Sequence, residues 1–245
     1  MDEERLKSGK APAMKKADPV ERFIAQLAAF SRPRVFNPWA DHDRVNDFGP
    51  QAPAIRREHP RRYLAERLGR ARVLLVAEAA GYQGAKFSGI AMTSERQLVA
   101  SGEIASDFFE GPKRRTSRES VRAAGFTEPT ATIVWGKMRE AGLAGRDWVN
   151  WNTFAWHPQG ADALRNRTPT PEEFRAGLAA LQAFLALFPK VPVVAVGEKA
   201  RGVLAELAVP VVAAGRPPGN GGGAAFRGGV EKFLGWPPPP APPPR

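Results

Sequence analysis

A short apolar run at residues 73–77 ends at an acidic residue, Glu78, and is followed by a loop that contains Gly81, Gly84 and Gly89. This pattern is typical of a buried parallel strand whose C-terminal end faces a ligand crevice. Glycines let such a loop turn tightly and let its backbone approach a bound molecule. We therefore expect Glu78 at the lip of a pocket, either as a site carboxylate or, more simply, as a strand-end group that caps nearby amides.

Two further loops place polar residues at predicted strand ends. Asn152 ends a predicted strand at 147–152, and the last predicted strand, 209–214, opens into the glycine-rich segment 215–226. Sites in parallel α/β sheets form where such strand ends meet, so the three loops should converge. Alone, Asn152 is equally well explained as a turn-stabilising amide. Together with Glu78 at an adjacent strand end, it favours a functional site.

These strands alternate with segments of helical periodicity. The predicted strands cover 73–77, 147–152, 191–197 and 209–214. The predicted helices start at Asp18, cover 57–68, run from Thr93 toward Val99, cover 128–142, start at Thr170, cover 199–207, and close near Leu234. Strands that alternate with helices predict an α/β fold, a three-layer α/β/α sandwich around a four-stranded parallel sheet.

The two ends of the chain differ from its centre in composition. Residues 1–18 are charged and poor in apolar side chains, which predicts a disordered basic leader. Residues 236–245 are rich in proline and predict a polyproline II tail, either a spacer or a ligand for a proline-binding groove. The folded domain is therefore expected at 19–235.

The overall charge favours a polyanionic partner. Lys and Arg number 36 against 25 Asp and Glu, a formal net charge of +11. This excess favours nucleic acid over an acidic small molecule, although a generally basic, solvated surface is the alternative. The chain has no cysteine, which excludes disulfides, thiolate zinc sites and cysteine-ligated iron-sulfur clusters. No apolar run reaches membrane-spanning length and the start lacks a secretory pattern, so we expect no membrane association and a cytoplasmic protein.

Three other patterns carry weaker signals. The acidic cluster Asp41, His42, Asp43 and Asp47 matches no metal-ligand spacing, so we expect it to be solvated and predict no metal site. The basic run at 113–118 is expected to be a solvated loop. The glycine-rich segment also fits a loose dinucleotide-binding pattern at Gly219, Gly221 and Ala224, but no βαβ unit follows it; such a loop can equally receive a DNA phosphate.

Five segments together resemble the uracil-DNA glycosylase superfamily. They are AEAAGYQGAKFSGIAMTSE (77–95), EPTATIVW (128–135), WNTFAWHP (151–158), NRTPTPEE (166–173) and GRPPGNGGGAAF (215–226). The resemblance covers residues 60–235 in order and is strongest to a bacterial branch related to the iron-sulfur glycosylases. The cysteines of those relatives are missing here, so the resemblance implies no cluster and no other cofactor.

The resemblance implies a hydrolytic cut of the bond between uracil and deoxyribose, after the base has flipped out of the DNA stack. Glu78 matches the acid that holds and polarises the attacking water. Asn152 matches the amide that reads the pairing edge of the base. Gly81 and Tyr82 are expected to wall the pocket. Met92 replaces a phenylalanine that stacks on uracil, and it has no flat ring with which to do so.

The final loop departs from the family pattern. Pro217 stands where a histidine donates a hydrogen bond to the leaving base, and proline has no donor. Arg216 or His157 could replace that donor, although His157 lies between Trp156 and Pro158 and is as well explained as a packed structural histidine. The loop residues expected to contact DNA are Arg216, Pro217, Gly219, Asn220 and Gly221.

The sequence thus predicts a monomeric DNA-repair enzyme whose partner is DNA containing uracil or another deaminated base. The presence of Glu78 and Asn152 favours this interpretation. Pro217 and Met92 favour an alternative, a catalytically reduced nucleic-acid-binding protein of the same fold.

Overall fold

A computed structural model describes residues 18–100, 103–215 and 228. The six strands are β1 (Val35–Phe36), β2 (Val73–Ala79), β3 (Trp148–Phe154), β4 (His157–Pro158), β5 (Val193–Val196) and β6 (Val211–Gly215). The eight helices are α1 (Pro19–Ala28), α2 (Ala52–Ala65), α3 (Ala85–Ser88), α4 (Glu95–Val99), α5 (Glu103–Phe108), α6 (Pro129–Glu140), α7 (Pro171–Leu187) and α8 (Glu198–Glu206). Several predictions lie outside the described residues: the leader, the closing helix, the proline-rich tail, and the loop with Arg216, Pro217, Gly219, Asn220 and Gly221.

The centre of the fold is a four-stranded sheet with the order β3-β2-β5-β6. Every neighbouring pair in it is parallel. In the register of β2 and β3, Val73 lies opposite Trp148 and Ala77 lies opposite Asn152. The predicted α/β fold with a four-stranded parallel sheet is therefore confirmed, and the register brings the C-terminal ends of β2 and β3 to the same edge.

Aromatic side chains on β3 show that helices cover both faces of the sheet. Successive strand residues point to opposite faces, so Trp148 and Trp151 face opposite sides. The Trp148 ring packs 4.7 Å from Trp135 of α6, whereas the Trp151 ring stacks 4.7 Å from Phe184 of α7. This arrangement confirms the three-layer sandwich.

Helix starts follow the capping signals of the sequence. The Asp18 side chain accepts a hydrogen bond from the Val20 amide at the start of α1. At the start of α7, Thr170 and Glu173 form a reciprocal capping box. The prediction for α2 was shifted, since the helix begins at Ala52, with Pro53 in its first turn, and ends before Leu68.

Residues 31–55 are rich in proline and aspartate, a composition that predicts an irregular surface segment, but part of the segment is buried. Phe36 and Trp39 are buried, and β1 pairs with β4 in an antiparallel ladder. The indole nitrogen of Trp39 donates to the Gly89 carbonyl at 3.2 Å, which fastens this segment to the loop after β2. The proline- and aspartate-rich pattern indicated turns correctly but not their burial against the core.

The acidic cluster is also not solvated as expected. Asp47 is fully buried, and its carboxylate accepts hydrogen bonds from both terminal nitrogens of Arg56 at 2.6 and 2.9 Å. Asp43 accepts a 2.7 Å hydrogen bond from the buried Lys86. Within the described ranges, no group of three metal-ligating side chains is close enough to hold an ion. Burial of these carboxylates is possible because each one faces a cation.

The basic run at 113–118 is only partly solvated. Thr116 and Ser117 are fully buried, and their amides donate to the Glu95 carboxylate at 2.6 and 2.8 Å. The prediction of a solvated loop therefore holds for Arg114 and Arg118 but not for Thr116 and Ser117, because the buried Glu95 carboxylate requires donors and these two residues provide them. None of the helices in the described part of the chain is both long and apolar enough to cross a membrane.

Candidate active site

A cavity of about 540 Å³ opens at the C-terminal ends of β2, β3 and β5. Parallel α/β sheets place ligand sites at this edge. The residues that line it are Ala77, Glu78, Ala79, Met92, Glu128, Thr130, Asn152, Val196, Gly197, Glu198, Lys199 and Ala200. The structure therefore brings three of the predicted site residues, Glu78, Met92 and Asn152, to one cavity.

Glu78 lies near the end of β2 with its side chain 34% exposed. The Thr153 hydroxyl donates to the Glu78 carbonyl at 2.8 Å and fixes the backbone to β3. The Glu78 carboxylate lies 3.3 Å from the Lys199 ammonium, which also donates to the Thr168 hydroxyl at 2.6 Å. An ion pair this exposed adds little stability, but it orients the carboxylate toward the cavity mouth.

Asn152 presents an amide that has no protein partner. Its side chain is buried, with 3% of the residue exposed. It makes no hydrogen bond to any side chain or backbone group in the described residues. Buried polar groups are nearly always hydrogen-bonded, so a cavity-lining amide without a partner is available to a ligand that offers both a donor and an acceptor.

Met92 has a left-handed backbone conformation, with φ at 45°. This conformation is uncommon for a residue with a side chain and is retained only where the surroundings impose it. The Met92 carbonyl accepts hydrogen bonds from the Trp135 indole at 3.1 Å and from the side-chain amide of Asn150 at 3.4 Å. These two contacts hold the backbone while the side chain lines the cavity.

Gly81 and Tyr82 do not belong to the cavity lining. The Tyr82 amide donates to the Asn166 side-chain oxygen at 2.9 Å, and the Tyr82 ring packs edge-on against Phe126. A Cβ atom on Gly81 would lie 3.4 Å from the Glu128 carboxylate. Neither residue therefore lines the cavity as expected. The Glu128 side chain, which belongs to the lining, lies next to Gly81.

His157 is fully buried and is also absent from the cavity lining. Its Nδ1 lies 3.0 Å from the Ala80 carbonyl, so the ring supports the backbone of the first loop. Burial lowers the pKa of His157 to about 4, which keeps the imidazole neutral. Of the two interpretations of His157, the structure favours the packed histidine.

Lys199 and Glu128 are among the cavity residues that were not predicted. Lys199 lies in the first turn of α8, directly after β5, and the only sequence signal was that this strand ends at the same edge of the sheet. Glu128 precedes α6, and the sequence marked it as a helix start and as the first residue of one resembling segment, without a role in the site. Its Oε2 atom is buried without a hydrogen-bond partner, and burial raises the pKa of Glu128 to about 7.

Lys86 joins three segments of the chain. It lies in α3, within the first loop, and is fully buried. Its ammonium donates to Asp43 at 2.7 Å and to the Ala163 carbonyl at 2.6 Å, and it lies 4.7 Å from the centre of the Phe36 ring. The first loop is therefore attached to the segments around Asp43 and Ala163.

The sheet order, the covering helices and a cavity at the strand ends define a three-layer α/β fold with a candidate site at the carboxyl edge of its sheet. No family model and no curated protein matches this sequence, whereas eleven solved chains match the structure. Among them is wild-type SMUG2 of Pedobacter heparinus, with a TM-score of 0.53 and 13% sequence identity. That match covers 78% of this chain and 81% of the SMUG2 chain. At this identity the similarity shows the fold alone.

Proposed function

We propose that this protein is a DNA glycosylase that hydrolyses the N-glycosidic bond of uracil or another deaminated base in DNA. The observation that carries the proposal is that one cavity is lined both by a strand-end carboxylate, Glu78, and by an amide, Asn152, whose side chain has no hydrogen-bond partner among the described residues. The cavity volume, about 540 Å³, is that of an ordinary small-molecule site. The uracil-DNA glycosylase-like fold that the chain shares with SMUG2 supports this choice of chemistry.

The two side chains divide the reaction between them. The Asn152 amide hydrogen-bonds the pairing edge of the flipped base with a donor and an acceptor. Glu78 holds a water against C1′ and takes its proton as the oxygen bonds to that carbon. The C1′–N1 bond breaks, and its electron pair leaves with the base. The Glu78 carboxylate also stabilises the positive charge that develops on the sugar.

The charge of the chain supports DNA as the partner. A net charge of +11 attracts the phosphate backbone independently of sequence. On this proposal the enzyme acts as a monomer in the cytoplasm and needs no cofactor, because a carboxylate, an amide and water supply the whole reaction.

A second candidate is a nucleic-acid-binding protein that has lost efficient cleavage. The observation in its favour is that the cavity is lined by Met92, which offers a base no flat surface on which to stack. Pro217 adds to this, since it has no donor for the leaving base.

The experiment incubates purified protein with single-stranded and duplex oligonucleotides that contain uracil and measures alkali-labile abasic sites. Glu78→Gln is expected to lower the rate by on the order of a hundredfold or more. The matched control is Glu140→Gln, which alters an exposed carboxylate at the far end of α6 and should retain full activity. Equal rates for wild type and Glu78→Gln would refute the mechanism. No cleavage by wild type, with activity gained in Pro217→His, would support the second candidate.

A further inference from the structure

Glu128 is a cavity-lining carboxyl that the proposed mechanism does not use. Its Oε2 atom is buried, and it finds no hydrogen-bond partner among the described residues. The side chain makes no capping bond to the amides at the start of α6, although Glu128 occupies the N-cap position. It therefore does not gain the hydrogen bond that a side chain at the N-cap position usually accepts.

The first loop leaves space for this carboxyl. A Cβ atom on Gly84 would lie 2.1 Å from Glu128 Oε2, and one on Gly81 would lie 3.4 Å from Oε1. A side chain at 84 and the carboxyl in its present position therefore exclude each other. The glycines that the sequence suggested for close approach to a ligand thus make room for Glu128.

The surroundings of Glu128 favour its protonated form. The titratable side chains that share the cavity are Glu78 and Glu198, which are acidic, and Lys199, which is paired with Glu78. The titratable residues of the adjoining loop are Tyr82 and Lys86, and the Lys86 ammonium is paired with Asp43. Burial alone raises the pKa of Glu128 to about 7. A protonated carboxyl has one O–H donor, and because Glu128 lines the cavity, this donor can reach a ligand bound there.

We propose that protonated Glu128 donates a hydrogen bond to a carbonyl oxygen of the flipped base and stabilises the negative charge that the base acquires as it leaves. The proposal rests on the proposed function. In the step it assists, the water oxygen bonds to C1′, and the C1′–N1 bond breaks with its electron pair on the base. The water proton goes to Glu78, and the free base anion later takes a proton from solvent. Glu128 keeps its proton and supplies the donor that Pro217 lacks.

Two substitutions of Glu128 distinguish the effect of its hydrogen-bond donor from the effect of its negative charge. Glu128→Gln has nearly the same shape and keeps an N–H donor at every pH, whereas Glu128→Leu has no donor. Wild-type excision of uracil is expected to fall as the pH rises through about 7, because Glu128 loses its proton. Glu128→Gln should lose this fall while its rate at pH 6 stays within about tenfold of wild type. Glu128→Leu should be slower at pH 6 by on the order of a hundredfold.

A binding measurement decides the proposal even if wild type cleaves nothing. The probe is a fluorescent oligonucleotide with 2′-deoxypseudouridine, whose carbon–carbon glycosidic bond is not hydrolysed. The reference is an otherwise identical oligonucleotide with thymidine in place of 2′-deoxypseudouridine. The affinity of wild-type protein for the probe, relative to this reference, should fall by about tenfold between pH 6 and pH 8, because a neutral donor is replaced by a carboxylate. Glu128→Gln should show no such fall, and Glu140→Gln should behave as wild type.

The outcomes distinguish this proposal from the proposed function. Excision by wild type with an identical rate and pH profile in Glu128→Leu would overturn the role of Glu128 and leave the glycosylase intact. A fall in affinity that persists unchanged in Glu128→Gln would also overturn it. Absence of excision together with the predicted binding profile would remove the glycosylase and retain Glu128 as a base-recognising donor. Circular dichroism confirms that each variant is folded before it is assayed.

Discussion

Glu128 is expected to make the stability of the protein depend on pH. Burial raises its pKa from an ordinary 4.5 to about 7, so the folded state binds the proton more tightly than the unfolded state. The stabilisation from this proton is complete below pH 4.5 and is lost as the pH rises through 7. Since one pKa unit corresponds to about 1.4 kcal/mol, the free energy of unfolding should fall by about 3 kcal/mol across this window.

Glu128→Gln removes the titration while it preserves the shape of the side chain. The melting temperature of the variant should exceed that of wild type by only about 2–3 °C at pH 5 and by about 6–12 °C at pH 8, from about 2–4 °C per kcal/mol in a chain of this size. Thermal unfolding followed by circular dichroism at pH 5, 6, 7 and 8 measures this difference. The control, Glu140→Gln, replaces an exposed carboxylate that is paired with Lys137, and its melting temperature should parallel that of wild type at every pH.

A constant difference between wild type and Glu128→Gln over the whole pH range would refute this reasoning. It would mean that the substitution changes packing and that the Glu128 carboxyl titrates in the ordinary acidic range. A difference that appears only below pH 5 would have the wrong sign, because it would require a pKa lowered by folding.

Three further substitutions and one binding measurement test other contacts of the protein. Gly84→Ala should abolish the pH dependence as Glu128→Gln does, at a cost below about 1 kcal/mol, because the new Cβ displaces only the end of a flexible side chain. Asp47→Asn should lower the free energy of unfolding in urea by about 3–5 kcal/mol, since it leaves Arg56 buried without its counter-charge. Asp162→Asn, which breaks an exposed pair with Arg165, should change it by less than about 1 kcal/mol. Affinity for any oligonucleotide should fall by roughly a thousandfold or more between about 50 and 200 mM salt if the protein makes about six or more phosphate contacts.

The strand-end residues could be predicted because their signals are local. An apolar run that ends in Glu78 predicts a strand with its acid at the carboxyl edge, and the same reasoning applies to Asn152. The parallel sheet then places both at one edge without further information, as the register of Ala77 with Asn152 shows. Capping signals can be predicted for the same reason, because the capping box of Thr170 and Glu173 involves residues within a single helical turn.

The residues that the sequence did not predict depend on contacts between distant segments. Lys199 meets Glu78 only when β2 and β5 pair, and no local pattern marks it. The burial of Asp47 depends on Arg56, a charged residue on a helix whose buried face also includes His59 and Pro60. Charged residues are rarely buried unless they are paired, so composition alone indicates a solvated surface at these positions.

The attachment of Lys86 to Asp43 and Ala163 has a consequence for base recognition. It determines whether the protein or the nucleic acid must change conformation. Two short ionic and polar contacts at a fully buried ammonium make independent opening of the first loop costly. On the proposed function, the first loop is therefore preformed, and the nucleic acid must deform, because the nucleotide has to unstack before its base can enter the cavity. Mismatched or single-stranded lesions, which are already partly unstacked, should then be accepted ahead of well-paired ones.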